Sequence, residues 1–336
     1  MLRREKRNLI LLFDKHYGSV RSDGQHRETH TGESSMTDQP SSWAEQPVVI
    51  CTYGPSGIGK STDMGYSFPN ALFIAAPGAL NSVHSLCGYT PKSTWVNTIS
   101  DATELIQAAA GKFHTVVIDD FSFLAEQTFS ALEKKYNGFR LWGELRDAAL
   151  RFRDTSRMSG VNVIMNCWEQ APKNKPDGSR VRGGPMLSGR LPEQIPALCD
   201  VVLRAVHEPR NQPWPAVYRC NPDPNFVMKD RFHTASVADP APMNLGEILR
   251  SSGLNVPRHP AMNGQEQEVA AISSSLTGVV KDDTALINEV YTSLVANGQA
   301  VAKARWTLRD ALDRAVLRRA KAQAEGTFLT ISTTLS

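Results

Sequence analysis

Between Pro47 and Thr62 the chain reads PVVICTYGPSGIGKST, an apolar run that breaks into Gly54-x-x-x-x-Gly59-Lys60-Ser61. These residue types at this spacing suit phosphate chemistry. Glycines at 54, 57 and 59 let the backbone curl with its N–H groups turned inward, at the positive end of the helix that should follow. Gly54, Pro55, Ser56, Gly57, Ile58, Gly59, Lys60, Ser61 and Thr62 would form the cradle. Lys60 would neutralise the β and γ phosphates of a nucleoside triphosphate, and the Ser61 hydroxyl is placed to ligate Mg²⁺.

A second run, FHTVVIDDFS from Phe113 to Ser122, is an apolar strand ending in two carboxylates. Asp119 suits the Mg²⁺ shell, with the strand tip expected to face the loop next door. Asp120 is placed to orient or deprotonate an attacking water. A third run, GVNVIMNCWEQ from Gly160 to Gln170, also ends in polar residues. Asn166 there would sense a γ-phosphate or hold the water, or equally cap a strand end. Glu169 is a rival for the base.

The elements that must carry these residues are legible in the apolar pattern. Strands are predicted at 48–53, 71–75, 115–118, 161–166, 201–206 and 216–219. A helix is predicted over 139–158, where Leu141, Leu145, Ala148, Ala149 and Phe152 recur at helical spacing. Alternating strands and helices imply an α/β fold, a mainly parallel sheet between helices, whose loops gather at one edge. Four prolines between 240 and 262 surround a short helical LGEILRSSG run and mark the exit from that domain. The expected organisation is a disordered extension over 1–45, a core over 46–250, a linker over 251–282 and a helical region over 283–325.

Composition narrows the class without naming a function. An apolar fraction of 41% with 21% charged residues in 336 residues describes a soluble globular chain. No apolar run approaches a bilayer span. Leu9 to Phe13 follow four basic residues, but Asp14, Lys15 and His16 stand where a leader would be cleaved, so a cytoplasmic protein is expected, in the host cytoplasm if phage-encoded. Cys51, Cys87, Cys167, Cys199 and Cys220 are scattered without metal spacing and read as reduced core residues. His26 and His30 imitate the tail of a zinc finger, but no cysteine precedes Cys51 to complete it. A net charge of +3 leaves nucleic-acid binding undecided.

In order and spacing, GPSGIGKST, VVIDDFSFLAE, FRLWGELRDAALRF, VNVIMNCWEQ, PMLSGRLPEQIPALCDVVLR and FVMKDRF resemble the phage-type RecA-like P-loop ATPases, including those associated with single-strand annealing and recombination. The likeness spans about residues 45–250. It implies ATP and Mg²⁺ as ligands, a ring or filament of identical subunits, single-stranded DNA as partner, and phage recombination or single-strand-binding proteins nearby. Lys229 and Arg231 match basic residues that in RecA-like ATPases reach a neighbouring subunit's nucleotide. The loop holding Lys173, Lys175, Arg180, Arg182 and Arg190 matches one that in related ATPases binds single-stranded DNA, although it has no aromatic residue for stacking. One departure concerns the base: in RecA the activating acid follows the strand after the loop helix, whereas here that strand runs ALFIAAPGALNS and has none.

Two other classes compete with a DNA-acting ATPase. GPSGxGKST also opens the guanylate kinase fold, which would make the protein a nucleoside or nucleotide kinase. A non-hydrolysing, nucleotide-dependent assembly protein is the third reading.

Overall fold

The six predicted strands all form, and short edge pieces join them. The computed structural model describes residues 46–189, 191–207, 216–233, 238–258, 265–297 and 301–335. The extension over 1–45 and Arg190 lie outside the described residues. In chain order the strands are β1 (Val49–Gly54), β2 (Leu72–Ala75), β3 (Lys92–Thr94), β4 (Thr115–Asp119), β5 (Asn162–Gln170), β6 (Lys173–Asn174), β7 (Arg180–Val181), β8 (Gly184–Pro185), β9 (Val201–His207), β10 (Ala216–Arg219), β11 (Lys229–Asp230) and β12 (Ala241–Pro242). The helices are α1 (Lys60–Ser67), α2 (Asn81–Cys87), α3 (Ile99–Ala109), α4 (Phe121–Glu133), α5 (Gly138–Met158), α6 (Leu191–Leu198), α7 (Leu245–Ser251), α8 (Glu266–Ser275), α9 (Val280–Ala296) and α10 (Val301–Leu335).

The main sheet runs β12-β10-β9-β1-β5-β4-β2-β3. From β9 to β3 every pairing is parallel, and β10 and β12 close the other side antiparallel. Buried on both faces, β1, β2 and β4 read as near-continuous apolar runs, which is why the sequence announces them. β3, with the sequence KST on the exposed edge, carries no such signal. Along α5 the stripe Leu141, Leu145, Ala148, Ala149 and Phe152 is buried as its spacing requires.

One expectation about the site changes here. β4 does not lie beside β1; β5 is inserted between them, so Asp119 at the end of β4 faces the loop strand across Asn166 of β5.

Past the sheet, the stretch 251–282 carries α8, whose Val269 packs with Leu276 and with Ala311, Leu312 and Ala315 of α10. A ten-residue helix with so narrow an apolar stripe becomes recognisable only once its partner is in place. On α10, Leu317 enters the main core, Arg309 donates to Met243 O, Arg314 pairs with Glu266 at 2.8 Å, and Arg318 donates to Ser273 O at 2.8 Å. Three of the basic residues of that helix are thus spent on internal packing. Among the described residues no helix is long and apolar enough to cross a membrane.

Candidate nucleotide site

The loop between β1 and α1 has the backbone its glycines foretell. Gly57 and Gly59 take φ of +78° and +103°, a left-handed conformation that side chains with a Cβ rarely adopt. Gly54 is needed for closeness instead, because a Cβ there would stand 2.5 Å from Ala205 O. No side chain caps the start of α1, so its first N–H groups are left for an anion. Lys60 folds over the loop, with Nζ donating to Gly54 O and Pro55 O at 2.9 Å each. Burial pulls its ammonium below the ordinary lysine value, opposed first by Asp120 and then by Asp119.

Across the sheet a polar row faces the loop. Thr52 on β1 is in register with Asn166 on β5, and its hydroxyl donates to Asn166 Oδ1 at 2.5 Å. Asn166 Nδ2 in turn donates to Asp119 Oδ1 at 3.0 Å. All three are buried, Asn166 completely. Asp119 Oδ2 is also buried and has no hydrogen-bond partner. Burial raises the Asp119 carboxyl; the nearby Ser61 hydroxyl, the Asn166 amide and the Lys60 charge pull it back.

A carboxyl with one orphaned buried oxygen, acted on by a hydroxyl and an ammonium, fits a hard divalent cation: Mg²⁺ seeks oxygen donors and takes few from protein when phosphates supply the others. Ser61 and Asp119 are the residues that would hold it. When bound it would neutralise charge on the β and γ phosphates.

The two candidates for the base and the amide that would hold the water are differently placed. Asp120 caps α4, its Oδ1 accepting from Ser122 N at 2.6 Å and Phe123 N at 3.2 Å, which leaves Oδ2 without a hydrogen bond. Its carboxyl is pushed up to about 6, chiefly by burial. Asn166 has its oxygen and one amide hydrogen engaged within the polar row. Glu169 is held by Arg204 through two bonds of 2.8 and 2.9 Å, and that guanidinium lies 3.3 Å over the Phe226 ring. A carboxylate held in this way is a strut, so the geometry favours Asp120 over Glu169.

The proposed finger residues lie elsewhere. Lys229 and Asp230 pair with Val202 and Val201 at the start of β9, whereas the loop adjoins the far ends of the strands. Lys229 donates to Cys199 O at 2.6 Å and Ala197 O at 3.2 Å, and Arg231 pairs with Asp200 at 2.9 Å. The basic loop is more ordered than its glycines and prolines suggest. Lys173–Asn174 and Arg180–Val181 form a hairpin, closed by a Pro176-Asp177 turn in which Gly178 N donates to Lys175 O and Lys175 N to Ser179 O. Lys173, Lys175 and Arg180 are exposed on it, and Lys175, Arg180 and Arg182 line a 590 Å³ cleft that also holds Lys229 and one acid, Glu193.

Asp63 is a site residue that sequence reasoning does not find. On α1, immediately past the loop, it is buried and accepts from Tyr218 Oη at 2.6 Å and Ser67 Oγ at 3.0 Å. It fastens the loop helix to β10, 155 positions along the chain, and no local pattern signals such a bond.

No curated protein matches the chain. Among solved structures it is similar to the KaiC-like protein PH0186 from the hyperthermophilic archaeon Pyrococcus horikoshii OT3, at 13% identity over 55% of this chain and 83% of that one, with a TM-score of 0.34. A family model described as an AAA domain matches residues 46–232, from the start of β1 to just past β11 and over more than half of the chain. With the phosphate loop, the acidic strand and the parallel sheet all inside that match, the chain belongs to the AAA domain family of P-loop nucleotide-binding ATPases.

Proposed function

We propose that the protein binds MgATP at Lys60, Ser61 and Asp119, hydrolyses it with Asp120 as the base, and couples that cycle to single-stranded DNA as a homo-oligomeric ring or filament. The observation that carries the reading is Asp119: one oxygen is fixed by Asn166, the other is buried and unbonded, and the Ser61 hydroxyl and Lys60 charge both act on the carboxyl. In the hydrolytic step water attacks the γ-phosphorus and the bond to the β–γ bridging oxygen breaks. Asp120 Oδ2 takes the water proton, and ADP and phosphate leave. A carboxyl pushed up to about 6 is a serviceable base near neutral pH.

The exposed basic hairpin supports the DNA part, because a row of cations can follow phosphates without reading sequence. Arg231, with its side chain 52% exposed, is the finger candidate that supports the oligomeric part.

Phosphate release from MgATP, with and without single-stranded DNA, tests the proposal with Lys60→Ala as the blank. DNA-stimulated release that disappears in the variant is the expected result. Release indifferent to DNA removes the DNA coupling, and no release at all removes hydrolysis.

A further inference from the structure

The register that starts at Thr52 continues past Asp119 into apolar residues. Asp119 is in register with Ala75 on β2, and since Ile74 pairs with Thr94, Trp95 comes level with Ala75 just beyond β3. Ala75 and Ala76 offer only methyl groups where the row leaves the carboxylates, and there a cleft of 480 Å³ opens. Trp95 lines it. The Trp95 ring stacks on Phe123 at 5.7 Å and 29°, and Phe123 reaches Trp168 at 6.5 Å. Trp168 is in register with Gly54, so an aromatic row connects the phosphate loop to the cleft.

We propose that this cleft is a nucleobase site, distinct from the position of the base carried by the loop nucleotide. The inference rests on the nucleotide reading of the loop and adds a second ligand to it. The volume lies in the range of small-molecule clefts. A half-buried indole suits the face of a planar heterocycle, while Asn81, His84, Ser93 and Thr94 bring donors and acceptors for its edge. Among the described residues no Lys, Arg, Asp or Glu lines the cleft, so the part of the ligand that enters is neutral, as a base is and a phosphate is not. Position separates it from the loop nucleotide's own base. The cleft lies beyond Asp119, at the metal end of the site where the terminal phosphate belongs, whereas that base sits at the opposite end of the triphosphate. The base can come from a free nucleoside or from an unpaired residue of a strand.

The test is calorimetric titration of the full chain, saturated with a non-hydrolysable MgATP analogue, with adenosine, guanosine, cytidine, thymidine and an oligodeoxythymidylate. At least one should bind, Trp95→Ala should weaken it about tenfold or more, and Trp95→Phe should keep most of the affinity. Asn81→Ala, at an exposed position, should change the preference among bases. Binding of nucleosides identifies a free ligand; Trp95-dependent binding of the oligonucleotide alone identifies a strand. Either supports the site. No binding by any probe, or binding unaffected by both Trp95→Ala and Asn81→Ala, overturns it. Analogue binding measured beforehand in each variant separates the two failures: if the wild type does not take the analogue, the nucleotide reading of the loop is what has failed.

Discussion

Asn166 donates a 3.0 Å hydrogen bond to Asp119, and through it the acidic strand β4 is coupled to the loop strand β1 although the two do not touch. The amide acts as a spacer: its oxygen is taken by Thr52, so Nδ2 can point only toward the carboxylate. Asp119 Oδ1 is thereby fixed, and Oδ2 is left buried without a hydrogen bond, where the proposed Mg²⁺ would bind.

Replacing Asn166 by Ala should release Asp119 and strand the Thr52 hydroxyl. Leaving buried polar groups unpaired costs about 1–3 kcal/mol, to be read by urea denaturation. Mg²⁺-dependent ATP affinity should fall together with stability. If both hold at wild-type values, Asn166 does not position Asp119.

Asp120→Asn should cut phosphate release by roughly 10²-fold or more while ATP binding is retained. Glu169→Gln should leave turnover within a few-fold and instead destabilise the fold by about 1–2 kcal/mol, because its bidentate pairing with Arg204 is weakened. Single-turnover measurements on both variants check this, and the reverse pattern would make Glu169 the base.

Much of the site is legible in the sequence because it is local. The loop needs its glycines within six positions, and buried parallel strands must be apolar throughout. Asp119 is legible too, since a polar residue at the end of such a strand stands out, and so does Asn166 after an apolar run, although β5 continues past it to Gln170. Pairing across distance is not legible. The insertion of β5 between β1 and β4, the bond from Tyr218 to Asp63 and the clamp of Arg204 on Glu169 depend on tertiary neighbours. The hairpin at 173–181 does carry a local signal, Pro176-Asp177-Gly178, which marks a turn; the same residues also suit a flexible loop, and only the paired strands on either side decide between the two.

Tyr218→Phe removes the 2.6 Å bond to buried Asp63. A loss of about 1–3 kcal/mol in denaturant unfolding is expected. Unchanged stability would mean that Ser67 and the Leu245 N–H satisfy that carboxylate by themselves.

Asp313 on α10 contributes to the pH dependence of stability. Burial pushes its carboxyl up to about 7 despite Arg309 and the Asn244 amide, while Asp310 and Glu247 add to the rise. Unfolded, the group titrates near 4. Between about 4 and 7 the native state holds a proton that the unfolded state has lost, so this group's contribution to stability declines as pH rises through that window and levels off above it. Asp313→Asn should flatten the curve and be more stable than wild type at pH 8, by at most about 4 kcal/mol. Denaturation at pH 5 and pH 8 reads the difference, and parallel shifts at both would contradict the assignment.

Neutralising Lys173, Lys175, Arg180 and Arg182 together should weaken single-stranded DNA binding and reduce the slope of log affinity against log salt by about 0.7 for each phosphate that the hairpin no longer neutralises. Because these side chains sit on an exposed hairpin and its rim, folding should be unaffected. An unchanged slope would place the DNA-binding surface elsewhere.

The most direct measurement is the affinity for a non-hydrolysable ATP analogue with and without Mg²⁺, in wild type and in Asp119→Asn. Wild type should bind at least about tenfold tighter with Mg²⁺, and the variant should lose that gain while keeping the metal-free affinity supplied by the loop and Lys60. An equal Mg²⁺ gain in both proteins, or a wild type that does not bind the analogue, would contradict the assignment of Asp119 and the loop to one nucleotide site.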